Sequence, residues 1–311
     1  MFSHKDVLYF QAGFGVLANM FLFCFYIFII VGHRPKPTDL ISCQLTFVHI
    51  TMFLTAGDIW LSDLFEILNI ENDFKCKATF YISRVMRGLS ICTTCLLSVV
   101  QAVTISPSTS LLAKFKQKLK KYMIYAFLFI WSFNISFSIN RIFYVGAYTN
   151  VSETSQMNFR KYCSLLPMNY VIRGLILTVT SSRDVFLVGI MLITSTYMVI
   201  ILLRHQRQCK HLHSISQLRA SPEERATQII LLLVVFFVVM YWVDFIITTT
   251  SLLLWRYDPV ILTVQKFVMN AYPTITPLVQ ISIDKRIIIM LKNLQSKCHH
   301  MFLKRCFFSS L

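Results

Sequence analysis

Seven apolar stretches alternate with short polar breaks along the chain, near 7–31, 38–62, 78–105, 121–140, 178–203, 226–251 and 259–283. Each predicts a membrane-spanning helix, because roughly 20 helical residues cross the hydrocarbon of a bilayer. The breaks carry helix punctuation. Pro35 and Pro37 stop the first helix, and Thr38 or Asp39 caps the second. Ser221-Pro222-Glu223-Glu224 has the form of a helix start, with proline in the first turn and acids on the dipole. Pro273 and Pro277 predict a kink in the seventh helix. Beyond it, 284–311 mixes aliphatic and basic residues as an interfacial amphipathic helix does.

The third stretch breaks the pattern. From Cys76 to Pro107 it holds no acidic residue, yet it carries Arg84 and Arg87 in the half nearer Cys76. Charge in a membrane helix costs a few kcal/mol or more unless it faces protein or water. This helix is therefore expected at the centre of a bundle, lining a cavity.

Composition agrees with an all-α integral membrane bundle that forms a single domain over 1–311. The chain is 56% hydrophobic and 14% charged, with a mean hydropathy of +0.61, whereas a soluble domain is about a quarter charged. The N-terminus, Met1 to Val7, is short and polar, so no cleavable signal is expected. The net charge of +16 changes the picture only through its distribution. With the N-terminus outside, the inner segments hold 18 basic residues and four acidic ones. That is the positive-inside bias of a multi-pass membrane protein, with anionic lipid as the partner of the basic excess and no nucleic acid. The inner basic residues include the Lys114–Lys121 cluster and Arg204, Arg207 and Lys210, which serve topology and form a candidate coupling surface.

Of nine cysteines, only Cys76 and Cys163 fall outside the lipid on the oxidising side, and they are expected to form a disulfide. Cys92 and Cys95 lie mid-helix with no further ligands near them in sequence, so neither a metal nor a cofactor is expected. Cys298 and Cys306, in the basic tail, are either palmitoylated or plain thiols. Asn150-Val151-Ser152 is a glycosylation sequon in the long outer loop. Asn19 reads as an interhelical hydrogen bond and His49 as a structural histidine.

The candidate ligand site follows from the third helix. Arg84 and Arg87 lie eight and eleven residues inward of Cys76, roughly 12 and 16 Å along a helix axis. Tyr81, Arg84, Gly88 and Ile91 share one stripe, with Arg87 at its edge. The fifth and sixth helices offer Arg183, Asp184, Trp242 and Asp244. Two readings stand side by side. Asp184 and Asp244 neutralise the arginines and tie the helices together, or at least one arginine receives a ligand sulfate or carboxylate between walls from Phe80, Ile91 and Trp242. Gly88 leaves room beside the arginines in either case.

Two stretches resemble the vomeronasal type-1 pheromone receptors, a family of seven-helix G-protein-coupled receptors. One is His33-Arg34-Pro35-Lys36-Pro37-Thr38-Asp39-Leu40, and the other is the long run from Arg84 through Arg87-Gly88, Thr93-Thr94-Cys95 and Gln101 to Ser106-Pro107. Asn150-Val151-Ser152, Ser181-Ser182-Arg183-Asp184, Ser221-Pro222-Glu223, Arg225-Ala226-Thr227 and Asn270 to Pro277 extend the likeness over nearly the whole chain. The resemblance implies a plasma-membrane receptor of vomeronasal sensory neurons, a small pheromone as ligand and an inhibitory-type G protein as transducer. Val100-Gln101-Ala102 stands where rhodopsin-like receptors carry Asp-Arg-Tyr, and helix 7 has Thr276-Pro277 in place of Asn-Pro. Bitter-taste receptors share those departures but not the run from Arg87 to Pro107. A small-molecule transporter is the less favoured alternative, since no internal repeat appears. An enzyme is not expected, because Asp58, Asp184 and Asp244 form no catalytic set.

Overall fold

The apolar stretches fold into seven helices. The computed structural model describes residues 4–32, 35–56, 72–106, 113–147, 157–160, 163–165, 169–212, 222–254, 259–293 and 295–296. The helices are α1 (His4–Gly32), α2 (Pro37–Ala56), α3 (Asn72–Ile105), α4 (Ala113–Ile139), α5 (Tyr170–Leu212), α6 (Pro222–Leu254) and α7 (Pro259–Ile283). A tail helix, α8, covers 285–293. The sequon at Asn150, Asp58 and the tail cysteines Cys298 and Cys306 lie outside the described residues.

α3 occupies the centre. In its most apolar stretch 78% of the residues are buried, against 33%, 17% and 28% for α1, α4 and α5. These four are each long and apolar enough to cross a membrane. α3 packs on α2, α4 and α5, while α7 closes the ring between α6 and α1. Large apolar side chains stand outward around the bundle, among them Phe10, Leu17, Phe129, Phe186, Ile193 and Leu232. Water would penalise a surface of this kind, and lipid would not.

α4 and α5 outrun their apolar stretches furthest. α4 starts at Ala113, inside the lysine-rich segment, and Lys116 Nζ donates to the Thr104 carbonyl at 3.0 Å. Lysine stems lie along apolar surface while their heads reach polar partners, so the helix continues into the basic region. α5 has 43 residues, about 65 Å at 1.5 Å per residue and so roughly twice the hydrocarbon thickness.

The long connection between α4 and α5 forms a small sheet. A 3-10 turn (Asn140–Tyr144) leads into β1 (Val145–Ala147), followed by β2 (Met157–Arg160) and β3 (Cys163–Leu165). β3 is central and antiparallel to both neighbours, pairing Ala147 with Cys163, and the β2 register shifts between Asn158 and Arg160. β1 lies against α3. Cys76, at the head of α3, is disulfide-bonded.

At the opposite end, α8 docks by a buried anchor and a charged clamp. Ile287 is fully buried with Leu22, Phe25, Tyr26, Ile29 and Cys43. Asp284 caps α8, accepting from the Arg286 backbone N–H at 2.9 Å. The Arg286 guanidinium forks onto buried Asp39 at 2.7 and 3.1 Å. Asp39 also accepts from the Lys36 backbone N–H at 2.9 Å. Hydrogen bonds to Asp39 and then Asp284 push the arginine above its ordinary pKa.

Between the ends, polar side chains stitch the helices together. Asn19 of α1 reaches the Pro273 carbonyl of α7 at 2.9 Å. Gly15 lies against the Phe53 ring, where a Cβ would collide. Gln44 donates to Thr93 at 3.0 Å, and Ser98 meets Thr194 at 2.7 Å. Buried His49 sits 3.4 Å from Ser90 Oγ and edge-on to Tyr272.

Candidate functional site

α3, α5 and α6 surround a cleft with about 630 Å³ of empty space, open solvent included, in the half of the bundle nearer the sheet. Arg84, Arg87 and Gly88 of α3 line it together with Arg183 and Asp184 of α5 and Tyr241, Phe245 and Thr248 of α6. Phe137 and Ser138 of α4 complete the wall. Cationic and apolar groups thus face one space, as a ligand with a charged head and a hydrophobic body requires.

Two ion pairs organise the charges. Arg87 of α3 is bonded to Asp244 of α6. Gln265 of α7 supports that carboxylate, donating to Asp244 at 3.2 Å and to Thr248 at 2.7 Å. Arg183 of α5 is paired with its neighbour Asp184 through Nε at 2.7 Å and Nη2 at 2.6 Å. The Tyr241 hydroxyl donates to the other oxygen of Asp184. Both carboxylates are buried, and a buried carboxylate is tolerated because its lone pairs are met. Asp184 and Asp244 therefore do tie the helices together.

The arginines keep further contacts. Arg183 stacks over the Phe137 ring at 4.6 Å, and its Nη1 lies 3.4 Å from Asn134 Oδ1. Arg84 lies over the Phe80 ring at 5.4 Å. Such cation–aromatic contacts help to hold a guanidinium in place. Three arginines and two aspartates line this cavity and a neighbouring one among α2, α3, α6 and α7.

Gly88 does make space, but Asn134 and Arg183 fill it. A Cβ at Gly88 would collide with the Asn134 side chain and come within 3.2 Å of Arg183 Nη1. Asn134 Nδ2 also donates to the Ile130 carbonyl at 2.8 Å, so the amide is fixed within α4.

The remaining residues expected at the site separate. Ile91 is buried and lines the second cavity. Tyr81 turns to α4, its hydroxyl donating to the Ile135 carbonyl at 3.1 Å, and lines neither cavity. Trp242 is 42% exposed and borders a smaller cleft between α5 and α6. Its place on the wall belongs to Tyr241, which the sequence reading passed over together with Asn134, Gln265, Phe137 and Phe245. Helical spacing held the signal for Tyr241: counting from Asp244 by three and four gives Tyr241 and Thr248, whereas Trp242 falls on another face. Cys163 is placed by its backbone in β3, and its side chain lies outside the described residues. Cys92 and Cys95 are free thiols in the apolar core below the cavity. Among the described residues no cluster of His, Cys, Asp and Glu could hold a metal ion.

Comparison with known proteins gives a consistent result. The sequence model of the vomeronasal organ pheromone receptor family matches residues 2–293. Vomeronasal type-1 receptor 90 of Rattus norvegicus is 40% identical over 293 residues, covering 93% of this chain and 94% of its own. Vomeronasal type-1 receptor 48 of Mus musculus is 37% identical over 290 residues, covering 93% and 95%. Vomeronasal type-1 receptor 100 of Rattus norvegicus is 36% identical over 292 residues, covering 93% and 89%.

Proposed function

The chain belongs to the vomeronasal type-1 family of pheromone receptors, and from that premise we propose that it binds a small anionic chemosignal in the arginine-lined cavity and activates an inhibitory-type G protein. The three arginines set beside apolar walls carry this reading. Inside a protein a guanidinium attracts an anion more strongly than it does in bulk water. A sulfate or carboxylate head would meet Arg84 and Arg87, with Arg183 behind Gly88, by charge-assisted hydrogen bonds.

The rest of the receptor is read in the same frame. Residues 1–311 form one seven-helix domain of the plasma membrane, with the N-terminus and the sheet outside. Cys163 is the disulfide partner of Cys76, since β1 links the strand that holds Cys163 to α3. Asn150 carries a glycan. The G protein binds at the α8 end, through the inner ends of α3, α5 and α6 with the Lys114–Lys121 cluster, Arg204, Arg207 and Lys210, and anionic lipid surrounds them.

A second reading has a specific observation behind it. Arg87 is bonded to Asp244, and Arg183 to Asp184, so these arginines also serve the fold. Acidic and neutral agonists separate the two roles. Arg84→Gln, Arg84→Lys and Arg87→Gln receptors are checked for surface expression, then for G-protein nucleotide exchange with each agonist. Ligand recognition gives selective loss for the acidic agonist, partly retained by lysine. Equal loss for both agonists, rescued by also neutralising Asp184 or Asp244, makes the arginines structural and refutes the anion reading.

A further inference from the structure

A second cleft, with about 430 Å³ of empty space that includes open solvent, lies among α2, α3, α6 and α7. Its walls are chemically unlike those of the first. Met52, Ile91, Met240 and Met269 contribute to a mainly apolar lining. Arg87 and Tyr241 line both cavities, so these two side chains are the wall between them.

The wall is held by bonds that a ligand can exchange. Arg87 is bonded to Asp244, and its Nη1 lies 3.9 Å from the Met269 sulfur, a weak acceptor. Tyr241 is bonded to Asp184. An anion in the outer cavity competes with Asp244 for Arg87, while Gln265, itself bonded to Thr248, keeps the carboxylate partnered. The apolar chamber then adjoins the anion's position directly. Methionine is unbranched and polarisable, and it moulds to irregular apolar shapes.

We infer that the methionine-lined chamber is a second ligand compartment, which takes the apolar body of an amphiphilic anion whose head group contacts Arg87 from the outer cavity. The inference rests on the anion reading above, which it extends by assigning the ligand's two ends to two separate cavities. The chamber selects the size of the apolar body, and the arginines select the charge of the head.

The test uses full-length receptor in lipid nanodiscs and two probe series of rising ring count. One is benzene-, naphthalene- and pyrenesulfonate, and the other is the matching neutral sulfonamides. Binding is measured for the wild type, for Met240→Phe, which fills the chamber, and for Met240→Ala, which enlarges it. In the wild type affinity rises with ring count to an optimum. Met240→Phe weakens the largest bound ring on the order of tenfold, as loss of one ring's burial does, and spares benzenesulfonate. Met240→Ala moves the optimum to a larger ring, so the inference stays testable if the phenylalanine variant folds poorly. The same dependence on ring count in all three proteins, with either head group, overturns the inference. Sulfonates that bind no better than sulfonamides defeat the anion reading instead, while a shifted optimum among the sulfonamides still supports the chamber.

Discussion

The Asn19 side-chain amide of α1 donates to the Pro273 carbonyl of α7 at 2.9 Å. Four residues on, Pro277 has no N–H, so that carbonyl lacks its helical donor. The same amide also reaches the Gly15 carbonyl at 2.7 Å in its own helix. Asn19 thus repairs a gap that proline opens in another helix, which is how membrane helices tolerate proline.

Loss of Asn19 therefore exposes an unpaired buried carbonyl. Asn19→Leu is expected to cost about 1–3 kcal/mol, read as a lower melting temperature of purified receptor. Pro277→Ala restores the helical donor, so the double variant should recover part of the loss. Strictly additive effects would show that the two residues do not communicate.

Gly88→Ala is expected to destabilise, because its Cβ strikes the Asn134 amide. Overpacking of this kind costs about 1–3 kcal/mol. Asn134→Ala should relieve the collision, and Gly88→Ala/Asn134→Ala should melt above Gly88→Ala alone. A double variant no more stable than the single one would place the strain elsewhere.

Arg87→Gln leaves Asp244 buried without its cation, at an expected cost of about 3–5 kcal/mol. Asp244→Asn in the same chain removes the stranded charge. Surface expression measured by flow cytometry should fall in the single variant and recover in the double. Recovery in the double together with lost response to an acidic agonist would separate the two roles of Arg87.

The clamp between Asp39 and Arg286 is expected to hold α8 against α1 and α2. Asp39→Asn should raise hydrogen exchange across residues 285–293 and leave α5 unchanged. Arginine's folded pKa is raised, so its contribution is complete below the ordinary arginine value and is lost only as pH rises through the folded one. Between about pH 7 and 9, well below the titration of arginine, exchange in α8 should show no weakening from this residue. A marked loss of α8 protection there, beyond the intrinsic rise of amide exchange with pH, would remove Arg286 from the account.

Much of this was legible in the sequence, because lipid imposes a simple length rule on apolar stretches. Arg84 and Arg87 announced a cavity, since charge in a membrane helix must face one. Asp184 and Asp244 stood out as partners by the same cost. What stayed hidden was azimuth. Trp242 and Tyr241 are neighbours in sequence, and only the rotation of α6 decides which of them lines the cavity. Nothing in the sequence marks Asn134 as a cavity residue, and its neighbour Gly88 is far away in the chain. The sheet rests on backbone pairing across a polar loop, where no alternation of apolar residues marks a buried face.

The bond between Asn19 and Pro273 also bears on how the receptor is made. It joins the first of the seven bundle helices to the seventh. Until α7 arrives, the Asn19 amide has no partner on another helix, and until α1 docks, the Pro273 carbonyl is bare inside the membrane. Completion of this one bond reports that all seven helices of the bundle have been threaded. A truncated receptor keeps an unmet polar group at bilayer depth, which is the sort of defect that quality control in the endoplasmic reticulum can read.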